Sequence, residues 1–359
     1  MSSWDFRAPL NRKRFCVACG VLVSNEEQVA DYEFFARDLT IPAFWTSIYR
    51  AIISQQRSDP VRQKQHDLHL SGVSRLYYLL WHDDILEGRV FRVPWDRNRV
   101  ITERSHMIED GKLRDDRIAI YPARLWGHQY RNYPDGYPIH AHCWTMMERV
   151  IGPDAENNLD ILLKVLTQRW DTEPPNFVIT RHRPGADAKK YPPEEIYTTW
   201  DPTDVPEVQA VIRQYTRQNS SEETKLGNSN FRNLGVLDLP LDIIFQIFDY
   251  ISAADTESIL TATQWKLPNS YWRSRFPRKL IFEIDEFISP ETEDPGVDWA
   301  FLCLGIEKLL ENERVYGLQS RQRIFRILQS VKELFEDRKR RVQASRDSEA
   351  PAEPEEGLK

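Results

Sequence analysis

Four residues, in two short pairs, have the types and spacing to hold a metal ion. Cys16-Val17-Ala18-Cys19 is a C-x-x-C pair, and His140-Ala141-His142-Cys143 offers an H-x-x-C pair through His140 and Cys143. Either spacing lets one tight turn aim two donors at one ion, and together the pairs make Cys₃His, a tetrahedral set used by structural zinc. Phe15 and Trp144 flank the pairs and would keep water from the thiolates. The fold must bring the pairs together across 120 intervening residues. Closure entropy rises only with the logarithm of loop length, so that separation adds modestly to the cost. Other readings stand beside this one. Cys16 and Cys19 could be small buried hydrophobes. They could be a redox pair, although no βαβ pattern precedes them. His142 could replace His140. A catalytic zinc would need an open position and a base, and no H-E-x-x-H is present.

The remaining chemistry-bearing residues form no recognisable constellation. The chain has no G-x-G-x-x-G, no G-x-x-x-x-G-K-[ST], no G-x-S-x-G and no EF-hand loop. Asp83 with Asp84, and Asp115 with Asp116, are adjacent carboxylates whose side chains diverge, so neither pair reads as an acid–base couple. Residues 170–183 with Lys189 and Lys190 mix aromatic and basic side chains, which reads as a solvated face. The formal charge of -7, from 48 basic and 55 acidic residues, gives no global attraction to a nucleic-acid polyanion. The expectation is a non-enzymatic protein with no required cofactor, in which the Cys₃His set is a candidate structural zinc site.

The elements that must position these residues belong to a chain long enough for about two domains. Helical periodicity in residues 31–54 and 155–169 alternates with strand-like runs at 117–121 and 176–180, and 133–138 (YPDGYP) is a turn cluster. The class read from this is α+β. The expected organisation is a flexible N-terminus (1–13), a mixed domain (14–215), a polar linker (216–233), a small helical module (234–280), a C-terminal helical region (281–342) and a disordered acidic tail (343–359). Basic residues 338–341 would close the last helix at the negative end of its dipole. The opening residues carry charges without an apolar core, and no run approaches the ~18 apolar residues of a membrane span. Cytosol or nucleus is expected, with no membrane partner.

The module reads LDLPLDIIFQIFDYISAADTESILTATQWKLPNSYWRSRFP over 237–277. Ile243, Ile244, Ile247, Phe248 and Ile251 form one helical stripe behind Pro240, a residue that starts a helix without losing a hydrogen bond. Asp255 is a candidate cap for a second helix carrying Ile259 and Leu260, and Asn269 for a third carrying Tyr271 and Trp272. Three helices in about forty residues make a core that is marginal alone.

This segment resembles an F-box, the module that joins a substrate receptor to the Skp adaptor of a cullin–RING ubiquitin ligase. Leu239, Pro240, Asp242, Ile243, Ile244, Ile247 and Ile251 match the family's opening. Asp255, Ile259, Leu260 and Trp272 match its acidic cap, second apolar helix and Trp-containing end. The Cys-Arg/Lys-x-Trp stretch of many F-boxes is here only Thr263-Gln264-Trp265-Lys266. The stretches YPIHAHCWTMMERVIGP and SYWRSRFP further resemble filamentous-fungal F-box proteins that place the box after a His-Cys-Trp region. The resemblance implies a substrate receptor of an SCF-type ligase. Its adaptor-binding residues would be Leu239, Pro240, Ile243, Ile244, Ile247, Phe248 and Ile251. Its partners would be a Skp-type adaptor, through it cullin, and an unidentified protein target. The competing reading is a zinc-stabilised scaffold or nucleic-acid-associated protein whose helical hairpin is only core.

Overall fold

The computed structural model describes residues 15–21, 23, 45–54, 68–75, 91–102, 108–109, 112–113, 117–122, 135–172, 200–221, 239–288 and 297–349. These fall into two compact units, one within residues 1–200 and 323–359 and the other within 201–322. Helices and a mixed sheet make the class α+β. The expected flexible N-terminus and the strand at 176–180 lie outside the described residues, as do positions 31–44 of the first expected helix.

The first unit is built on strands β1 (Ile48–Ser54), β2 (Leu68–Leu70), β3 (Val73–Arg75), β4 (Phe91–Val93), β5 (Val100–Ile101), β6 (Ile108–Glu109), β7 (Lys112–Leu113), β8 (Ile118–Pro122) and β9 (Asp135–His140). The main sheet has the order β4-β8-β9-β1-β3-β5, with β2 also on β1, and β6 pairs with β7 separately. β1 is its centre. It runs antiparallel to β9 on one side, from Tyr49 opposite His140 to Ser54 opposite Asp135, and to β2 and β3 on the other. Between β2 and β3 the chain crosses so close to a neighbouring loop that a Cβ on Gly72 would lie 2.3 Å from the Arg99 carbonyl oxygen. Only glycine fits there.

Residues 48–54, expected as helix, are therefore strand. Ala51, Ile52 and Ile53 are all buried, and a short continuous apolar run has no period that separates a covered strand from a helix. The turn cluster is corrected in the same way, because residues 135–138 belong to β9. Pairing with β1 over six residues overrides the local preference of Pro, Asp and Gly for turns. The strand at 117–121 is present as β8.

Helices α1 (Ala141–Ile151), α2 (Asp154–Asn157) and α3 (Leu159–Thr172) follow β9 directly. In this unit's core, Tyr49, Ile52, Ile139, Trp144, Leu162 and Leu166 pack with Ile324, Leu328, Val331 and Phe335 of the last helix.

The second unit contains α4 (Pro206–Ser221), α5 (Leu241–Asp249), α6 (Ala253–Thr263), α7 (Asn269–Arg275), a 3₁₀ turn at Phe282–Glu286, α8 (Trp299–Glu311) and the first turns of α9 (Tyr316–Glu349). The expected linker at 216–233 is helix as far as Ser221, and its remainder lies outside the described residues. A polar run that extends an amphipathic helix has the same composition as a linker. The expected acidic tail is likewise helix to Glu349, with 350–359 outside the described residues. Arg338–Arg341 thus sit two turns before the helix end, and their charges meet local partners: Lys339 pairs with Asp154 at 2.5 Å and Arg341 with Asp337 at 2.7 Å.

A buried arginine organises this unit. The Arg321 side chain is fully covered, and its five N–H donors have five acceptors. Glu283 takes two of them, at 2.6 and 2.9 Å, and the carbonyls of Pro202, Thr203 and Leu280 take the rest. The guanidinium also lies 4.3 Å over the Phe282 ring. Removing one partner of such a pair leaves a buried charge without compensation. Glu283→Ala is expected to destabilise the chain by about 3–5 kcal/mol in urea denaturation. Glu257→Ala, which breaks an exposed pair with Lys308, should cost less than about 1 kcal/mol.

Candidate metal centre and apolar ledge

The two sequence pairs meet in the first unit. One ligand atom from each of Cys16, Cys19, His140 and Cys143 lies within 4.8 Å of the others, and all four residues are buried. Cys19 Sγ is 3.4 Å from His140 Nδ1, and Cys143 Sγ is 3.9 Å from the same atom. Metal–ligand lengths of about 2.3 Å to sulfur and 2.0–2.1 Å to nitrogen put tetrahedral donor edges at roughly 3.5–3.8 Å, so the observed separations suit one ion between them.

Local structure explains the placement. Residues 16–21 form a tight turn in which Gly20 N–H donates to the Cys16 carbonyl and Cys16 N–H to the Val21 carbonyl. Gly20 has φ 77°, the left-handed region that favours glycine. The turn is tied to the sheet by Val17 N–H donating to the Pro138 carbonyl at 2.9 Å. His140 ends β9 and Cys143 lies in the first turn of α1, where the helix dipole favours a thiolate. Two sulfurs accept backbone hydrogen bonds: Cys16 Sγ from His140 N–H at 3.3 Å and Cys19 Sγ from Val21 N–H at 3.4 Å. Such bonds hold and orient metal-binding thiolates.

Trp45 covers the cluster, its ring edge-on to His140 at 4.7 Å. His142, the alternative ligand, stacks parallel to Trp45 at 6.3 Å and is outside the four-residue group. Of the expected shielding residues, Trp144 is buried and Phe15 packs partly buried against the core.

The four groups shift one another's protonation strongly. Burial pushes the Cys19 thiol up, but hydrogen bonds with Cys143 and Cys16 and the charge of His140 outweigh it and hold the group well below its ordinary value. Burial disfavours the His140 imidazolium, yet the charges of Cys16 and Cys19 and hydrogen bonds to them push it up to about 10. Burial, then bonds with Cys16 and Cys19, pushes Cys143 well above the usual thiol range. Three buried sulfurs and an imidazole nitrogen this close together could hold a metal ion.

The second unit presents a different feature. Of the nine large apolar side chains exposed among the described residues, five fall within 239–250: Leu239, Leu241, Ile243, Ile247 and Tyr250. Pro240 is exposed beside them. The predicted stripe is therefore split. Ile243 and Ile247 point outward at 38% and 45% exposure, whereas Ile244 and Phe248 are 1% and 2% exposed and belong to the unit's own core. Ile251 is intermediate. Ile244 and Phe248 are accordingly corrected from surface anchors to core residues, because a two-turn helix has to bury one face to stay attached.

The ledge is held from behind. Arg275 donates to the Phe248 carbonyl and to Tyr271 Oη, which donates to Asp249 at 2.9 Å, and Arg275 also grips Glu307 at 2.5 and 2.9 Å. Phe245 stacks on Tyr271 at 4.5 Å. The expected caps are corrected too. Ser252, rather than Asp255, caps α6, its Oγ accepting from Asp255 N–H at 3.1 Å while donating to the Asp255 carboxylate. Pro268 precedes α7, and the Asn269 side chain instead bridges to Val297 and Trp299. Leu241 and Tyr250 escaped the sequence reading despite lying in the same segment. Arg275 reaches Tyr271 one turn back, but its bonds to Phe248 and Glu307 span 27 and 32 residues and leave no local signal.

No protein-family model matches this chain, no curated protein matches it, and no solved structure matches it.

Cys19→Ser and Cys143→Ser are expected to lose bound metal, read by elemental analysis of the purified chain. Cys303→Ser should retain it, since Cys303 is buried outside the cluster. Chelator treatment of the unsubstituted chain should lower Tm by about 10 °C, the effect of losing a ligand held roughly 1,000-fold below its available concentration.

Proposed function

We propose that this chain is a non-enzymatic substrate receptor of an SCF-type cullin–RING ubiquitin ligase. In this reading residues 234–280 are an F-box module between a mixed N-terminal domain and C-terminal helices. The observation that carries it is the apolar ledge formed by Leu239, Pro240, Leu241, Ile243 and Ile247, which are exposed among the described residues. A concentration of exposed apolar side chains on one short segment is a recognition surface in most soluble proteins. Here it coincides with the Leu-Pro opening and Ile-rich helix through which the F-box family binds its adaptor. The partner is a Skp-type adaptor whose groove receives these side chains as anchors, helix against helix.

The Arg275 network supports the same reading, because a ledge fixed in advance binds without an ordering cost. The metal cluster is a structural zinc site on this reading. Three thiolates and an imidazole select a soft, tetrahedral ion, and a closed shell without an open position supplies folding energy rather than catalysis. Target recognition is assigned to the N-terminal domain, since the ledge is committed to the adaptor.

The decisive experiment is co-expression with a Skp adaptor followed by size-exclusion chromatography. The native chain should co-elute, and Ile243→Glu with Ile247→Glu should abolish co-elution while leaving circular dichroism unchanged, because both side chains face solvent. Ile244→Ala should instead destabilise the chain by about 2–4 kcal/mol. A native chain that never co-elutes would overturn the receptor assignment.

A further inference from the structure

Arg323 stands out as a charged side chain whose position the adaptor role leaves unexplained. It lies in α9, on the part of that helix belonging to the first unit. Its Nη1 donates to the Cys19 carbonyl at 2.9 Å across a sequence separation of 304 residues. Its Nε and Nη2 are covered from solvent and have no hydrogen-bond partner among the described residues. A guanidinium carries five donors and a permanent charge, and leaving part of it buried and unanswered is costly. The flanking Ile324 and the next turn's Leu328 are wholly buried, so the helix itself is anchored and the arginine is held at the metal-binding turn.

The charge of the loaded site accounts for this. A divalent ion with three thiolates and a neutral imidazole has a net charge of -1, in a setting where all four ligands are shielded from water. Backbone N–H groups already donate to Cys16 Sγ and Cys19 Sγ, and each spreads part of that charge without cancelling it. A buried anion needs a counter-charge, and Arg323 is the cation bonded to the turn that presents two of the thiolates.

We propose that Arg323 is the counter-cation and outer-shell clamp of the Cys₃His centre, so that occupancy of the metal site and docking of α9 reinforce one another. This rests on the zinc reading above. The Nη1 bond holds the Cys16–Cys19 turn in its ligating shape, and the positive charge favours the loaded, anionic site over the metal-free one. Because binding is reciprocal, the ion must strengthen the attachment of this helix by the same free energy by which the arginine strengthens the ion's.

The test uses the full chain and zinc alone, with affinity measured by competition against a chromophoric chelator. Arg323→Lys keeps the charge; Arg323→Gln keeps a donor for the Cys19 carbonyl but removes the charge. Loss of an outer-shell partner costs about 10–100-fold in metal affinity. Arg323→Gln should therefore bind zinc at least about tenfold more weakly than the native chain, with Arg323→Lys clearly closer to native. Arg323→Met, whose stem suits the buried path, serves as the neutral variant if Gln does not fold in zinc-saturated buffer. Hydrogen exchange supplies the reciprocal readout. Zinc should slow exchange in α9 around Leu328 in the native chain, and less so in the neutral variant. A neutral variant with the affinity of Arg323→Lys would overturn the counter-charge role while leaving the zinc site standing. A native chain that binds no zinc would overturn both.

Discussion

The approach of residues 16–19 to residues 140–143 is the constraint on which the first unit depends. Four ligand atoms within 4.8 Å join a turn near the start of the chain to the junction of β9 and α1. That junction is itself fixed by β9 pairing with the central strand β1, which puts His140 directly opposite Tyr49. The cluster therefore does not stand apart from the sheet. It closes the open end of the strand pair, and the bond from Val17 N–H to the Pro138 carbonyl carries the turn onto the same strand. A long loop closed in this way costs only slightly more entropy than a short one, so the many residues between the pairs are no obstacle to a stable site.

The second unit solves a different problem with comparable means. Helices α5, α6 and α7 have 9, 11 and 7 residues, too few to be stable in isolation. Two arginines, one of them fully buried, help to hold them in place. Arg321 gathers the 3₁₀ turn, the loop before α4 and the start of α9, and Arg275 gathers the end of α5, α7 and α8. Each uses the planar fork of its guanidinium to bind a carboxylate through two bonds while satisfying backbone carbonyls at element ends, a combination that lysine cannot reproduce. The inner face of α5 needs only Ile244 and Phe248 to dock on this frame. Its outer face presents Leu241, Ile243 and Ile247, which are exposed among the described residues.

The range of each interaction decides how much of this is legible in the sequence. The ligand pairs are legible because metal-binding spacing is local, and the helices from Trp299 onward because their stripes hold their period. The mixed class follows from the alternation of patterns. β1 and β9 escape a local reading because their character is set by neighbours. Ile52 faces Tyr137 and Ile53 faces Gly136, pairings made across more than eighty residues that leave no trace in a short window. The inward and outward halves of the α5 stripe are equally unreadable, since isoleucine at 243 and at 244 looks the same until a core exists for one of them to enter. The cap of α6 falls to Ser252 because its hydroxyl reaches the N–H three residues on, while Asp255 answers from within the first turn. The bonds by which the arginine hubs join separate elements span 27 to 119 residues and leave no signature in a short window.

The use the described residues make of their reactive groups bears on the kind of protein this is. The three cysteines and the histidine of the cluster are buried and matched to one another, and the fourth cysteine is buried beside Glu307, its thiol pushed well up by burial and by that carboxylate. Glu307 and Glu283 are themselves locked to Arg275 and Arg321. Among the described residues these groups are engaged with one another in holding the two units. The most prominent exposed feature of the second unit is instead apolar, a row from Leu239 to Tyr250 that would be an aggregation hazard on a protein with no partner for it. Such a row is retained where burial in a complex offsets its exposure in the free chain. Among the described residues, reactive side chains are thus turned to structure while a row of apolar ones is turned to solvent.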